Sequence, residues 1–107
     1  MVKVLVQMYP MLRADSPEER KELRPIGRNR ERYQEAMNGF PDLIRAMDDL
    51  GVWGVSSIEH HFHSEGYEVG PSIGINTGYW AGLSKNLNIG SLGYVMSVDD
   101  PIRVAEE

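Results

Sequence analysis

Every histidine of the chain falls within four consecutive positions, His60, His61 and His63 around Phe62, and Glu59 stands directly before them. Imidazole has the side-chain pKa closest to neutrality, so it takes up and releases protons under ordinary conditions. A neighbouring carboxylate can orient such a ring or share its charge. The cluster follows a strand-like stretch, residues 52–58. In barrels of alternating strands and helices, chemistry is placed where strands end at their C-termini. Alternation along extended backbone sends His60 and His61 to opposite sides, so only one can face a barrel mouth. Two chemistries stay open on these residues. One imidazole could do acid–base work, or His61 and His63 could offer two nitrogens from one face to a divalent metal, given further ligands from later strands. The plain alternative is a polar turn with no chemical role.

Composition narrows the classes. Eleven basic against sixteen acidic residues give a net charge of -5, which argues against a nucleic-acid or anionic-membrane partner. With no cysteine there is no disulfide framework, thiolate nucleophile or thiolate metal site, which fits a reducing cytoplasm. Residues 2–8 are too short and too interrupted for a signal peptide or a membrane span. The expectation is a soluble, cytoplasmic protein. Arg20, Arg24, Arg28, Arg30 and Arg32 are nearly cancelled by Glu18, Glu19, Glu22, Glu31 and Glu35. They read as a solvated face rather than an anion site.

The elements that would position the histidines follow from local patterns. Val2, Val4 and Val6 alternate with Lys3, Leu5 and Gln7, which predicts a first strand over residues 2–8. Ser16-Pro17-Glu18-Glu19 is a capping-box pattern and predicts a short helix to about Leu23. A second helix is expected from Pro41, with Leu43, Ile44, Met47 and Leu50 at helical spacing and Gly51 at its C-terminal cap. Asp48 and Asp49 near that end oppose the helix dipole. Residues 52–58 form the second strand, and residues 73–85 a helix weakened by Gly74, Gly78 and Gly82. Residues 87–96 form the third strand, loosened by Gly90 and Gly93. Asp100-Pro101 opens a last helix.

Strands joined by helices imply a parallel sheet with right-handed crossovers. The fold class is therefore α/β, the N-terminal portion of a TIM (β/α)8 barrel. A whole barrel takes about 250 residues, so residues 1–107 would be its N-terminal third, an incomplete barrel. Three strands leave two open edges, which predicts self-association of the chain. Val4, Val6, Val55 and Ile89 are the expected exposed apolar residues, and the row Gly74, Gly78, Gly82 could support close helix packing.

Ile58-Glu59-His60-His61-Phe62, then Asn88-Ile89-Gly90-Ser91, then Asp100-Pro101-Ile102-Arg103-Val104-Ala105-Glu106-Glu107 together resemble the N-terminal part of bacterial-luciferase-like, flavin-dependent monooxygenases. The first loop departs from that pattern, because residues 9–40 match no motif of the family and are longer than its usual loop. The resemblance implies a TIM barrel that uses reduced flavin, FMN or a deazaflavin relative, usually supplied by a separate flavin reductase. Molecular oxygen then adds to the flavin as a peroxide and oxidises a small organic substrate. It also implies that His60 lies beside the reactive flavin edge as the catalytic acid–base group. By the same resemblance Ser91, Leu92 and Gly93 lie under the flavin ring, in a segment that often holds a non-proline cis peptide. Glu59 and His61 are expected as supporting residues, Glu59 orienting the histidines from behind and His61 either a hydrogen-bonded packing residue or a direct participant. A homo-oligomer or a complementary chain is implied as partner, and the 107-residue chain alone is expected to be inactive. The competing readings are a metal-dependent hydrolase barrel with His61 and His63 as ligands, and a non-catalytic barrel fragment or assembly subunit.

Overall fold

In the computed structural model, which describes residues 1–68, 70 and 72–107, three parallel strands alternate with helices. The strands are β1 (Leu5–Gln7), β2 (Gly54–Ile58) and β3 (Asn88–Gly93), in the sheet order β1-β2-β3. The helices are α1 (Pro17–Glu22), α2 (Arg30–Asp49), α3 (Ile73–Leu83) and α4 (Pro101–Glu106), with a single 3-10 turn over Ile26–Arg28. This is a mixed α/β architecture compatible with part of a barrel. No helix among the described residues is long and apolar enough to cross a membrane.

Helix starts follow the local chemistry. Ser16 accepts the backbone N–H of Glu19 at 3.0 Å, with Pro17 in the first turn of α1. Asp100 does the same for Ile102 at 2.8 Å and Arg103 at 3.3 Å, ahead of Pro101 in α4. At the end of α2, Gly51 takes φ +70°. Its N–H bonds Asp48 O at 3.1 Å, and Val52 N–H bonds Met47 O at 3.1 Å. That pair is a Schellman closure, which a residue with a Cβ would strain.

The start of α2 differs from the sequence expectation. The helix begins at Arg30 rather than Pro41, and Pro41 lies inside it. Asn29 caps it by accepting Arg32 N–H at 3.0 Å, and the first turns are built from strong helix formers such as Arg30, Glu31, Gln34, Glu35, Ala36 and Met37. Proline removes one hydrogen bond from the ladder. Burial of Phe40, Ile44 and Met47 against the sheet holds the helix together across that gap.

The strands share one face with the helices. Val6 pairs in register with Val55, and Val55 with Ile89, so all three side chains point the same way. They join Met8, Phe40, Ile44, Met47, Trp80 and Leu87 in the core, with Trp80 against Phe40 at 5.3 Å between ring centroids. The expectation of exposure is therefore overturned for Val55, which is fully buried, and in part for Val6 and Ile89, while Val4 is 56% exposed. Strand alternation says which residues share a face, and the helices cover this one. The opposite face carries Leu5, 43% exposed, and beside it Leu92, 54% exposed.

Candidate active site

Glu59 follows the last residue of β2 and His60 comes next, paired with Gly70 by an isolated antiparallel bridge. That bridge closes the segment between them into a loop with its ends fastened. The loop is docked on residues 12–28. Leu12 N–H bonds Gly66 O at 2.8 Å and Ile26 N–H bonds Ser64 O at 3.0 Å. Arg20 donates to Glu65 O at 2.7 Å and lies over the Tyr67 ring, while Arg24 pairs with the Glu65 carboxylate. Leu12 and Ile26 are fully buried beneath it. Arg32 donates to Arg13 O at 2.5 Å and to Glu19 at 2.8 Å. Arg20 and Arg24 thus clamp two loops together, and Arg32 braces residues 13–19 against the start of α2, where sequence charge balance had read a solvated face.

The clamp builds a cleft of about 360 Å³ at the C-terminal end of β2. Small-molecule pockets span roughly 300–1,000 Å³, so this one is at the small end. His60, Phe62, His63, Tyr67 and Glu68 line one side, and Pro25, Gly27, Arg28 and Tyr33 the other. The first loop, which matches no family motif in sequence, supplies that second wall.

His60 is 40% exposed and its Nδ1 lies 2.7 Å from Glu68 Oε2. His63 meets His60 edge-on at 6.0 Å between centroids and also packs on Tyr67. Phe62 and Glu68 are the non-glycine residues with positive φ among those described, at 59° and 52°. Such backbone is unfavourable and tends to collect at functional sites. Glu68 was invisible in the sequence, because nothing periodic links a loop carboxylate to a histidine eight positions earlier.

His61 turns the other way. Its Nε2 is buried without a hydrogen bond, 3.5 Å from Glu59 Oε1. Glu59 is itself buried, and its Oε2 accepts the backbone N–H of Val95 at 2.8 Å. The carboxylate thereby ties the end of β2 to the chain just beyond β3. His61 and His63 face different neighbours, and no group of three or more His, Cys, Asp or Glu among the described residues could hold a metal ion.

Ser91, Leu92 and Gly93 end β3. Ser57 pairs with Ser91 and Ile58 with Gly93, so Leu92 is an extra residue at a register shift. Ser91 and Leu92 line a separate groove of about 220 Å³ with Leu5, Ser56 and Gly90. His60 does not line it. The cis bond among the described residues is Arg24–Pro25, and β3 has none. The irregularity of this strand is the register shift at Leu92.

The groove has the features a planar aromatic cofactor would use. Its wall is largely apolar, a Cβ added at Gly90 would meet nothing within 4 Å, and Ser56 Oγ is buried with no hydrogen-bond partner. These residues fit a flavin ring in kind.

Over 74 residues, 69% of this chain, the sequence is 28% identical to the alkanal monooxygenase beta chain of Photorhabdus luminescens. The likeness is luciferase-like, distant and partial. It covers 22% of that protein's length. No family model matches the chain. No solved structure matches it.

Proposed function

We propose that the chain forms part of a luciferase-like, flavin-dependent monooxygenase that oxidises a small organic substrate, with an aliphatic aldehyde as the first candidate. The observation that carries this reading is His60, paired with a carboxylate and lining a cleft at the C-terminal end of the central strand. The relative's name adds the reaction type and the aldehyde. Ser91, Leu92 and Gly93 would hold the ring of FMN, or of a deazaflavin, against the open face of β3. Reduced flavin, when bound, supplies the two electrons that let molecular oxygen be divided between substrate and water.

The chain's own groups then have defined tasks. His60 takes or returns a proton at Nε2, the ring nitrogen that is not against Glu68. Tyr33 and Tyr67 wall the cleft and limit water at the reacting centre, with Phe62 at its rim. Glu59 fixes the spacing of β2 and β3, on which the distance from His60 to the cofactor groove depends. A flavin reductase in the same cell would deliver the cofactor, and a complementary chain or a second copy would cover the open sheet. The relative is one named chain of its protein, which favours a second reading, a subunit that supports catalysis elsewhere.

The test uses an affinity tag to purify the chain with whatever accompanies it in its native cell. The preparation receives FMN, a flavin reductase, reduced nicotinamide, an aldehyde and isotopically labelled oxygen. Label in the carboxylic acid product, lost in His60→Ala with flavin binding intact, supports the catalytic reading. Labelled product unchanged by His60→Ala supports the subunit reading. A preparation that neither binds reduced flavin nor labels the product ends both.

A further inference from the structure

We infer that Glu68 is the positioning residue for His60, holding the Nδ1 side of the ring so that Nε2 is left to work in the cleft. This rests on the reading of His60 given above, and goes beyond it by naming the group that sets the ring's tautomer and orientation.

Three observations carry it. Glu68 Oε2 lies 2.7 Å from His60 Nδ1, an ion-pair contact with the protonated ring, and its side chain is only 25% exposed. Glu68 has φ +52°, a left-handed backbone that costs a residue with a Cβ about 1 kcal/mol. The surroundings over-determine that conformation. The bridge from His60 to Gly70 fastens the loop on one side of Glu68, and the docking of Ser64 and Gly66 on residues 12–28 fastens it on the other. A strained residue held from both sides and delivering a carboxylate to an imidazole is hard to account for as loop geometry alone.

The other carboxylates near the histidines are engaged elsewhere, Glu65 by the Ser64 hydroxyl and Arg24. Glu59 lies between His61 and Val95 N–H, so it does not compete for His60. Glu68 meets the His60 ring at Nδ1. A carboxylate at Nδ1 favours the tautomer with the proton on Nδ1. It leaves the Nε2 lone pair toward the cleft and stabilises the ring when that nitrogen accepts a proton.

The test reads the ring directly, on the chain labelled with a nitrogen isotope, at about pH 9, above the ordinary range of histidine. Long-range proton–nitrogen correlation spectra are expected to show His60 protonated on Nδ1. Glu68→Ala should move His60 toward the Nε2-protonated form and leave His61 and His63 unchanged. Glu68→Gln keeps an acceptor and should retain most of the wild-type signature. Glu68→Gly removes the carboxylate and also relieves the left-handed backbone. It should melt no lower than wild type yet lose the signature, which a merely structural glutamate would not do. His60 protonated on Nε2 in the wild type, or ring signals identical in wild type and Glu68→Ala, would overturn the inference.

No flavin is needed for this readout, so it stands or falls separately from the monooxygenase reading. In the active assembly, Glu68→Ala should lower kcat about tenfold or more with KM for the aldehyde unchanged, and Glu68→Gln should restore part of it. A rise in KM with kcat unchanged would make Glu68 a binding residue instead and overturn the positioning role.

Discussion

Asp48 accepts the backbone N–H of Lys85 at 2.6 Å, and that of Asn86 at 3.1 Å, so its carboxylate anchors the turn that leads from α3 into β3. A negative charge near the C-terminal end of a helix is electrostatically unfavourable. Here the two amide donors compensate for it. They hold the Asp48 carboxyl below the ordinary range, against a smaller opposing effect of desolvation.

Acid should therefore weaken the fold through a small set of carboxylates. Glu19 is held low chiefly by the Asp15 N–H and also by Arg32; Glu65 is held low chiefly by the Ser64 hydroxyl, with Arg24 adding. A depressed carboxyl contributes stability that is present above its unfolded value, about 4, and lost as pH falls through its lower folded value. Melting temperature should drop as pH is lowered from about 5 toward 3, and Asp48→Asn should flatten part of that limb. Superimposable acid limbs for the wild type and Asp48→Asn would show that the anchor contributes nothing.

Gly66 packs tightly against the first loop. Its φ is +69°, and an added Cβ would collide with Ile26 and press on Leu12. Gly66→Ala should cost about 2 kcal/mol or more, since left-handed strain and overpacking act together. The urea midpoint measures the cost. Because the cleft depends on this docking, the ring signals of His60 should change as well.

Trp80 is the largest fully buried side chain. Trp80→Ala should cost about 3–5 kcal/mol. Against a total stability of about 5–15 kcal/mol, that leaves the chain at or near unfolding. Circular dichroism at room temperature is the check, and a cooperative melt close to wild type would mean that the α2–α3–sheet core is not the principal one.

What the sequence made legible was local. Ser16 and Asp100 announce helices through capping, and Gly51 announces a helix end, because each effect is confined to one turn. The succession of strands along the chain and the exit of β2 at Glu59 and His60 were readable for a similar reason, since apolar runs broken by turn residues mark elements directly. Pro41 misled, because proline is most at home in a first turn and the packing of Phe40 and Ile44 that carries the helix through it is tertiary. The Asn29 cap was the available signal. The partnerships that build the cleft, Arg20 with Glu65 and Glu68 with His60, join positions that no period connects.

Phe62 combines full exposure with φ +59° at the rim of the cleft. Phe62→Gly should leave stability within about 1 kcal/mol of wild type, because relief of left-handed strain offsets the entropy that glycine loses on folding. If the ring forms the apolar rim of the substrate cleft, affinity for an aliphatic aldehyde should fall about fivefold, the equivalent of about 1 kcal/mol of lost apolar burial. Calorimetric titration alongside thermal melts separates the two effects, and loss of stability with unchanged affinity would make Phe62 a folding residue.

The open sheet sets the last expectation. β1 and β3 each have one unpaired edge, and the face away from the helices exposes Leu5 and Leu92. Unpaired edges and an uncovered apolar face promote association. On α3, a Cβ at Gly78 or Gly82 would meet nothing within 4 Å, and Ile75 is 73% exposed, so that helix also lacks a neighbour along one side. The net charge of -5 opposes association weakly, because salt at physiological strength screens it beyond about 8 Å. Sedimentation of the purified chain should show species larger than 12.1 kDa, and Leu5→Lys with Leu92→Lys should shift them toward monomer. If the double variant associates as the wild type does, the contact lies on an edge or on α3 rather than on the open face. A wild-type chain that sediments as a compact monomer and unfolds cooperatively would show that three strands and their helices suffice as a domain.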